Sequence, residues 1–252
     1  MMNNSKDVFK LIIMKNSKIL YVIVLVFGAV FSGCDKLQDG YEYNPSYYNT
    51  ELKMSVMDFM QSRKDIFSGM LAAIDYVDGD PNFKDVKEMY STTGNTFLLF
   101  HNNALINLED ATSYWSVNTV TGPDPNNPGM TITMKGSDWS QYPRDTIAKL
   151  LRYHVLKGTQ TYSTLNATPK WVESFGMSTT NDSAKVFLYL ENVREANLRI
   201  NNYVGLQTTY KGVNMGWVNL APRTPDLHAT NGIVHVLNKW FIQPTREAIR
   251  TN

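Results

Sequence analysis

The chain has a single cysteine among its 252 residues. No disulfide can therefore form within it, and its stability has to come from packing. It also lacks a long apolar run. Its most hydrophobic stretch, Ile19 to Phe31, holds 13 residues, short of the roughly 20 a helix needs to cross a bilayer. A charge excess is missing too: 24 basic and 23 acidic residues leave a formal net charge of +1. With no strong positive field to attract phosphate, nucleic acid is not an expected partner. Catalytic signatures are equally scarce. There is no H-E-x-x-H, G-x-S-x-G or S-x-x-K string and no glycine-rich phosphate loop. The four histidines, His101, His154, His228 and His235, form no close ligand pair, so neither a metal nor another cofactor is expected. Acidic residues are scattered, with no evident pair of the kind that cleaves glycosides. The chain does not read as an enzyme, and a polymer hydrolase is the least supported role.

What is present begins at the N-terminus. Lys6, Lys10, Lys15 and Lys18 precede the apolar run, and Ser32 and Gly33 follow it, directly before Cys34. That order of charge, short apolar segment and small residues is the layout of a secretory signal. Met14 is an alternative start that keeps a short basic region. Phe31-Ser32-Gly33-Cys34 resembles a bacterial lipobox, with Phe31 where an aliphatic residue is usual. The expectation is a lipoprotein signal peptide over 1–33, with Cys34 lipidated and 34–50 as the tether. Two acyl chains on Cys34 would hold the protein firmly at a membrane, where one would be marginal. The competing reading is an uncleaved signal anchor with an incidental cysteine. Four basic residues and one acidic residue precede Cys34, so the remainder carries 20 basic and 22 acidic.

The rest of the chain alternates helical and extended patterns. Val56, Phe59, Met60, Ile66, Phe67, Met70, Leu71 and Ile74 recur at three- and four-residue steps over 55–76, which predicts one helix or two short ones. A short helix is expected near 83–90. Residues 96–101 read as a buried strand, and Asn102–Leu105 as a turn or short helix. Asp145 looks like the N-cap of a helix carrying Ile147, Leu150 and Leu151. Strands are expected at 160–165, 185–191, 196–201 and 232–237, and a strand or helix at 239–250. Helices first and mostly antiparallel strands later make an α+β pattern. Residues 110–143 read as an irregular insertion built around Thr121-Gly-Pro-Asp-Pro-Asn-Asn-Pro-Gly129, which is strong turn chemistry.

Three strings carry a resemblance. Thr96-Phe-Leu-Leu-Phe-His-Asn-Asn-Ala-Leu105 resembles a diverged first motif of the fasciclin (beta-Ig-H3/fasciclin) domain family, with Leu99-Phe100 in place of Ala-Pro. Leu150-Leu-Arg-Tyr-His-Val-Leu-Lys-Gly158 is similar to the family's central L-x-Y-H-V-x-x-G string. Asp226-Leu-His-Ala-Thr-Asn-Gly-Ile-Val-His-Val-Leu237 nearly reproduces its second motif. The resemblance implies one fasciclin-like domain over 51–252, a wedge of two small, mostly antiparallel β-sheets with packed helices. It also implies Asp226-Leu227 and Tyr153-His154 as adhesion residues, as in animal members. The alternative is that Asp226 caps a turn, Tyr153 packs, and His154 and His235 are core histidines bonded to backbone.

Tyr114, Trp115, Trp139 and Tyr142 in the insertion, beside Asn and Asp, are a second candidate binding set, since aromatic faces stack on sugar rings. The alternative is that they pin a long segment to the core. The expected function is a non-catalytic, membrane-anchored adhesion or ligand-binding lipoprotein of a Gram-negative cell envelope. It would sit in the outer membrane, at its periplasmic or cell-surface face. Its partners would be a protein or glycan ligand, and a transporter complex of an outer-membrane glycan-uptake system. A structural or assembly partner of another envelope protein is the alternative.

Overall fold

A computed structural model describes residues 49–252 with the exception of 195, and these form one compact unit, Asn49–Asn252. The signal, Cys34 and nearly all of the tether lie outside the described residues. The helical periodicity of 55–76 resolves into two helices, α1 (Val56–Ser62) and α2 (Lys64–Asp78). They break at Arg63, whose φ of −122° and ψ of 48° are not helical. Ser55 caps α1 by accepting a hydrogen bond from the Asp58 amide at 3.1 Å, a contact worth about 1 kcal/mol. Gly69 in α2 is a docking point. Its amide donates to Asn102 Oδ1 at 2.8 Å and its carbonyl accepts from Trp139 Nε1 at 2.9 Å. A Cβ there would lie 2.8 Å from Ile106 Cγ2, so the close approach needs glycine.

After a 3₁₀ turn (Pro81–Phe83) and α3 (Lys84–Met89) comes β1 (Asn95–Phe100), buried at all six positions. It is one of the two inner strands of a four-stranded sheet. Its neighbours are β11 (Gly232–Leu237) and the two-residue β4 (Val155–Leu156), and β10 (Thr224–Ala229) lies outside β11. β1 and β11 run parallel in unbroken register from Asn95↔Gly232 to Phe100↔Leu237. The other two pairings are antiparallel. Strands apolar on both faces are what such an inner parallel pair requires. Gly232 serves that pairing rather than a turn of positive φ. A Cβ on it would sit 2.3 Å from the Asn95 carbonyl oxygen. The outer edge of β10 is covered by the lead-in segment. Leu52 N donates to His228 O, and His228 N to Thr50 O, at 2.9 and 2.8 Å, which removes an exposed sheet edge.

A three-stranded antiparallel sheet of β5 (Lys170–Glu173), β6 (Lys185–Leu190) and β7 (Leu198–Ile200) is the second main sheet. Two small ribbons, β2–β3 (Val120–Pro123, Thr131–Met134) and β8–β9 (Thr209–Tyr210, Val213–Asn214), complete the strands of the described residues. The architecture is α+β, as expected, with a four- and a three-stranded sheet. Several local expectations need correction. Residues 160–165 are not a strand. Thr161 and Thr164 bond to each other and to nearby backbone, the local competition that keeps threonine-rich segments out of ladders. The strand falls later, at β5. Residues 110–143 are not irregular throughout: they hold α5 (Tyr114–Val117), the β2–β3 ribbon and a 3₁₀ turn (Trp139–Gln141). Asn102–Leu105 is α4, and the C-terminal element is helical, α7 (Arg246–Thr251), capped by Thr245.

Helix α6 (Arg144–Tyr153) has Pro143, not Asp145, at its N-cap. Asp145 sits in the first turn, where the helix dipole favours a carboxylate, and pairs with Lys149 at 2.6 Å. His154 ends α6 as its C-cap residue instead of lying in a strand. Among the described residues no helix is long and apolar enough to cross a membrane.

Candidate functional site

The central string ends α6 inside the core. Tyr153 and His154 are 5% and 0% exposed. The Tyr153 hydroxyl donates to Lys185 O at 3.1 Å and accepts from Asn201 Nδ2 at 3.0 Å. Asn201 Oδ1 in turn accepts from the Phe187 amide at 2.9 Å, so the tyrosine ties α6 to the three-stranded sheet. His154 packs between Phe100 and Phe241, each ring centroid 4.3 Å away. Its Nδ1 donates to Leu150 O at 2.8 Å. Burial pushes its pKa down to about 3, so the ring is neutral. In this arrangement neither side chain presents a surface to a partner.

The second motif is structural in the same way. Asp226 takes φ of +55° at the bulge of β10 between Thr224 and Leu227. Its amide donates to His235 Nδ1 at 3.0 Å, and His235 Nε2 donates to Gln160 O at 2.9 Å. These partners set the tautomer, and burial lowers the His235 pKa to about 4. The Asp226 carboxylate accepts from the Tyr162 amide at 3.3 Å and lies 3.6 Å from His228 Nε2. Leu227 is buried. Asn231 accepts from the Val56 amide at 2.9 Å and donates to Tyr90 O and Thr92 O, joining the start of α1 to the segment before β1. The motif thus reads as a set of backbone clamps. Asp226 and His228 are its half-exposed ionisable members, and Glu51 lies 3.4 Å from His228 Nδ1.

The aromatics of 110–143 face one another. Tyr114 lies 5.7 Å from Trp139, 5.6 Å from Tyr142 and 5.2 Å from Trp240, centroid to centroid, and Trp115 lies 5.4 Å from Trp139. Trp240 continues the cluster to Tyr210 and Trp217. Two of the polar tips are spent on backbone: Tyr142 Oη donates to Asn118 O at 2.7 Å and Trp240 Nε1 to Thr112 O at 2.9 Å. Burial raises the Tyr142 pKa to about 12. Tyr114, Trp139 and Tyr142 are buried and Trp115 half-buried, which leaves the first three no open face for a sugar. They pin the segment to α2 and to the C-terminal chain.

A different place is open. A cleft of about 360 Å³ is lined by Lys149 and Arg152 of α6, by Phe175 to Ser178, Thr180 and Asn181 of the β5–β6 loop, and by Gln243. The loop is braced at its base, where Ser174 Oγ donates to Ala184 O at 2.7 Å, and near its tip, where Ser178 and Asn181 exchange backbone hydrogen bonds at 3.1 Å. Asn181 and Gln243 form a reciprocal amide pair: Asn181 Nδ2 to Gln243 Oε1 at 3.1 Å, and Gln243 Nε2 to Asn181 Oδ1 at 2.6 Å. Gln243 follows Ile242, whose carbonyl accepts from Asn201 Nδ2 at 3.4 Å. The buried Tyr153–Asn201 link therefore backs the cleft. None of its lining residues stands out in the sequence, because they come from three separated segments. Among the described residues, no three His, Cys, Asp or Glu side chains are grouped to hold a metal.

The fold and its internal clamps define a single α+β unit built around a mixed sheet. Residues 125–243 match the family described as Fasciclin domain. The match takes in the central and second strings. It leaves out 96–105, although β1 of that string pairs residue for residue with β11 of the second. No curated protein matches. A solved structure described as a FAS1 domain pair from the insect cell adhesion molecule Fasciclin I is similar at 16% identity and a TM-score of 0.39. The similarity covers 69% of this chain and 45% of that one, so this chain spans less than half the length of that protein.

Proposed function

We propose that this protein is an exported, lipid-anchored binding module of the cell envelope, held through Cys34, whose fasciclin domain engages a protein or glycan ligand without catalysing its conversion. The fasciclin match over 125–243 carries the reading. The lone cysteine behind a short apolar run and small residues supports the anchor. An outer-membrane location beside a glycan-uptake transporter is part of this proposal, since a tethered domain acts by concentrating a ligand near a membrane. Cells making the full-length chain, fed an alkyne-tagged fatty acid, should yield a labelled protein in the membrane fraction. Cys34→Ala should lose the label and leave the membrane. A Cys34→Ala protein that stays in the membrane would sink the anchor. The detergent-purified full-length protein, applied to arrays of glycans and envelope or matrix proteins, should retain at least one class; retention of nothing would sink the binding role.

A further inference from the structure

The geometry points to the cleft between α6 and the β5–β6 loop as a binding site for a neutral oligosaccharide. This inference rests on the binding role proposed above and names the ligand class and the place.

The first observation is electrostatic. Two cations line the cleft, and each already has a carboxylate. Arg152 Nε and Nη2 make a two-pronged pair with Asp85 at 2.8 and 2.7 Å, and Lys149 Nζ meets Asp145 at 2.6 Å. Next to the loop tip, Asp182 is paired with Arg246, whose guanidinium holds that carboxyl below its ordinary range. Charges matched in this way leave no net field of either sign over the cleft. A charged ligand would have to displace an existing partner to gain one. A neutral ligand need not.

The second observation concerns hydrogen-bond chemistry. Asn181 and Gln243 each keep a lone pair on the side-chain oxygen beyond their mutual pair, while their second N–H groups are spent on Gly176 O and Ser183 Oγ, so toward a ligand they act as acceptors. Ser178 and Thr180 add exposed hydroxyls at the rim. Acceptors beside groups that both donate and accept match hydroxyls, which do the same. The third observation is apolar. Phe175 and Met177 are half-buried in the lining. They offer a ring and a soft thioether to the C–H face of a pyranose, and Met adapts its shape to such contacts. The volume falls within the roughly 300–1,000 Å³ usual for small-ligand sites. Finally, the loop is fixed before any ligand arrives, braced by Ser174–Ala184, Ser178–Asn181 and the amide pair. A site ordered in advance spends less binding free energy on ordering itself.

The test is calorimetric titration of the full-length protein in detergent with neutral hexaoses (gluco-, manno- and xylo-configured) and with hexagalacturonate as the charged comparison. At least one neutral hexaose should bind, and more tightly than hexagalacturonate. Thr180→Trp fills the cleft from an exposed position and should weaken that binding by about tenfold or more, with an unchanged melting temperature. Gln243→Ala should weaken it too. Preference for the acidic sugar, or a Thr180→Trp protein that binds like the wild type, would overturn the assignment. Retention of a protein ligand with no saccharide bound removes the cleft proposal and spares the binding role; retention of nothing removes both.

Discussion

Two segments of this molecule invert their apparent roles. Residues 110–143 are long, rich in Tyr and Trp and punctuated by proline, which on sequence suggests a ligand-facing loop. The β5–β6 loop, 174–184, is short, polar and without a distinguishing motif. In the structure the aromatics of the first close on themselves and on Trp240, and the Trp139 and Trp240 N–H and Tyr142 O–H groups bond to backbone. The second lines the cleft. The contrast shows that large amphipathic side chains mark a site only when their faces stay open. A protein that lacks disulfides among its described residues has every reason to spend such side chains on packing.

Three measurements would break or sharpen this contrast. The largest effect is expected at Trp139. Its truncation to alanine empties a buried site and strips the Gly69 carbonyl of a partner, so unfolding in urea should show a loss of about 3–5 kcal/mol. A loss below about 1 kcal/mol would mean the aromatic segment is not core. The next effect is that of pH. His154 and His235 are buried neutral with folded pKa values of about 3 and about 4, below the ordinary 6.5. The unfolded chain therefore binds protons first as pH falls. Their contribution is complete above about pH 6.5 and declines below it, by up to about 1.4 kcal/mol per pH unit for each histidine. The decline should level off near the folded values. A urea midpoint series from pH 7.5 to 4.5 reads the slope, and His235→Gln should flatten it; a flat profile in the wild type would contradict burial of both rings. The smallest effect is expected in the loop. Thr180→Ala should change stability by no more than about 0.5 kcal/mol, and a larger loss would place the loop with the core.

Some of this was legible in the chain and some was not, for physical reasons. The helical spacing of Val56 to Ile74, the apolar β1 and the alternating β6 are local patterns, and local patterns survive in a sequence. The second motif announced itself, but the string alone does not show what its residues hold together. Asn231 ties α1 to the segment before β1, His235 accepts from Asp226, and Gly232 makes room for the Asn95 carbonyl. Such roles depend on partners far along the chain. The two-residue β4 and the four-residue β5 are too short to show a period, and threonines at 161 and 164 imitate a strand while bonding locally. The cleft is less legible still, because Lys149, Asn181 and Gln243 meet only after folding.

The parallel pairing of β1 with β11 carries a kinetic consequence. The strand that completes the centre of the sheet is made long after β1, which waits for a partner more than a hundred residues downstream. Contacts of such long sequence separation form slowly. Until β11 is available, the Gly232 niche, the Asn231 clamp and the His235 bonds are all unmade. A chain with this topology cannot close its central sheet until β11 has been made. For a protein proposed to be threaded across a membrane, slow closure keeps it in the extended form that threading requires, and folding is completed on the far side.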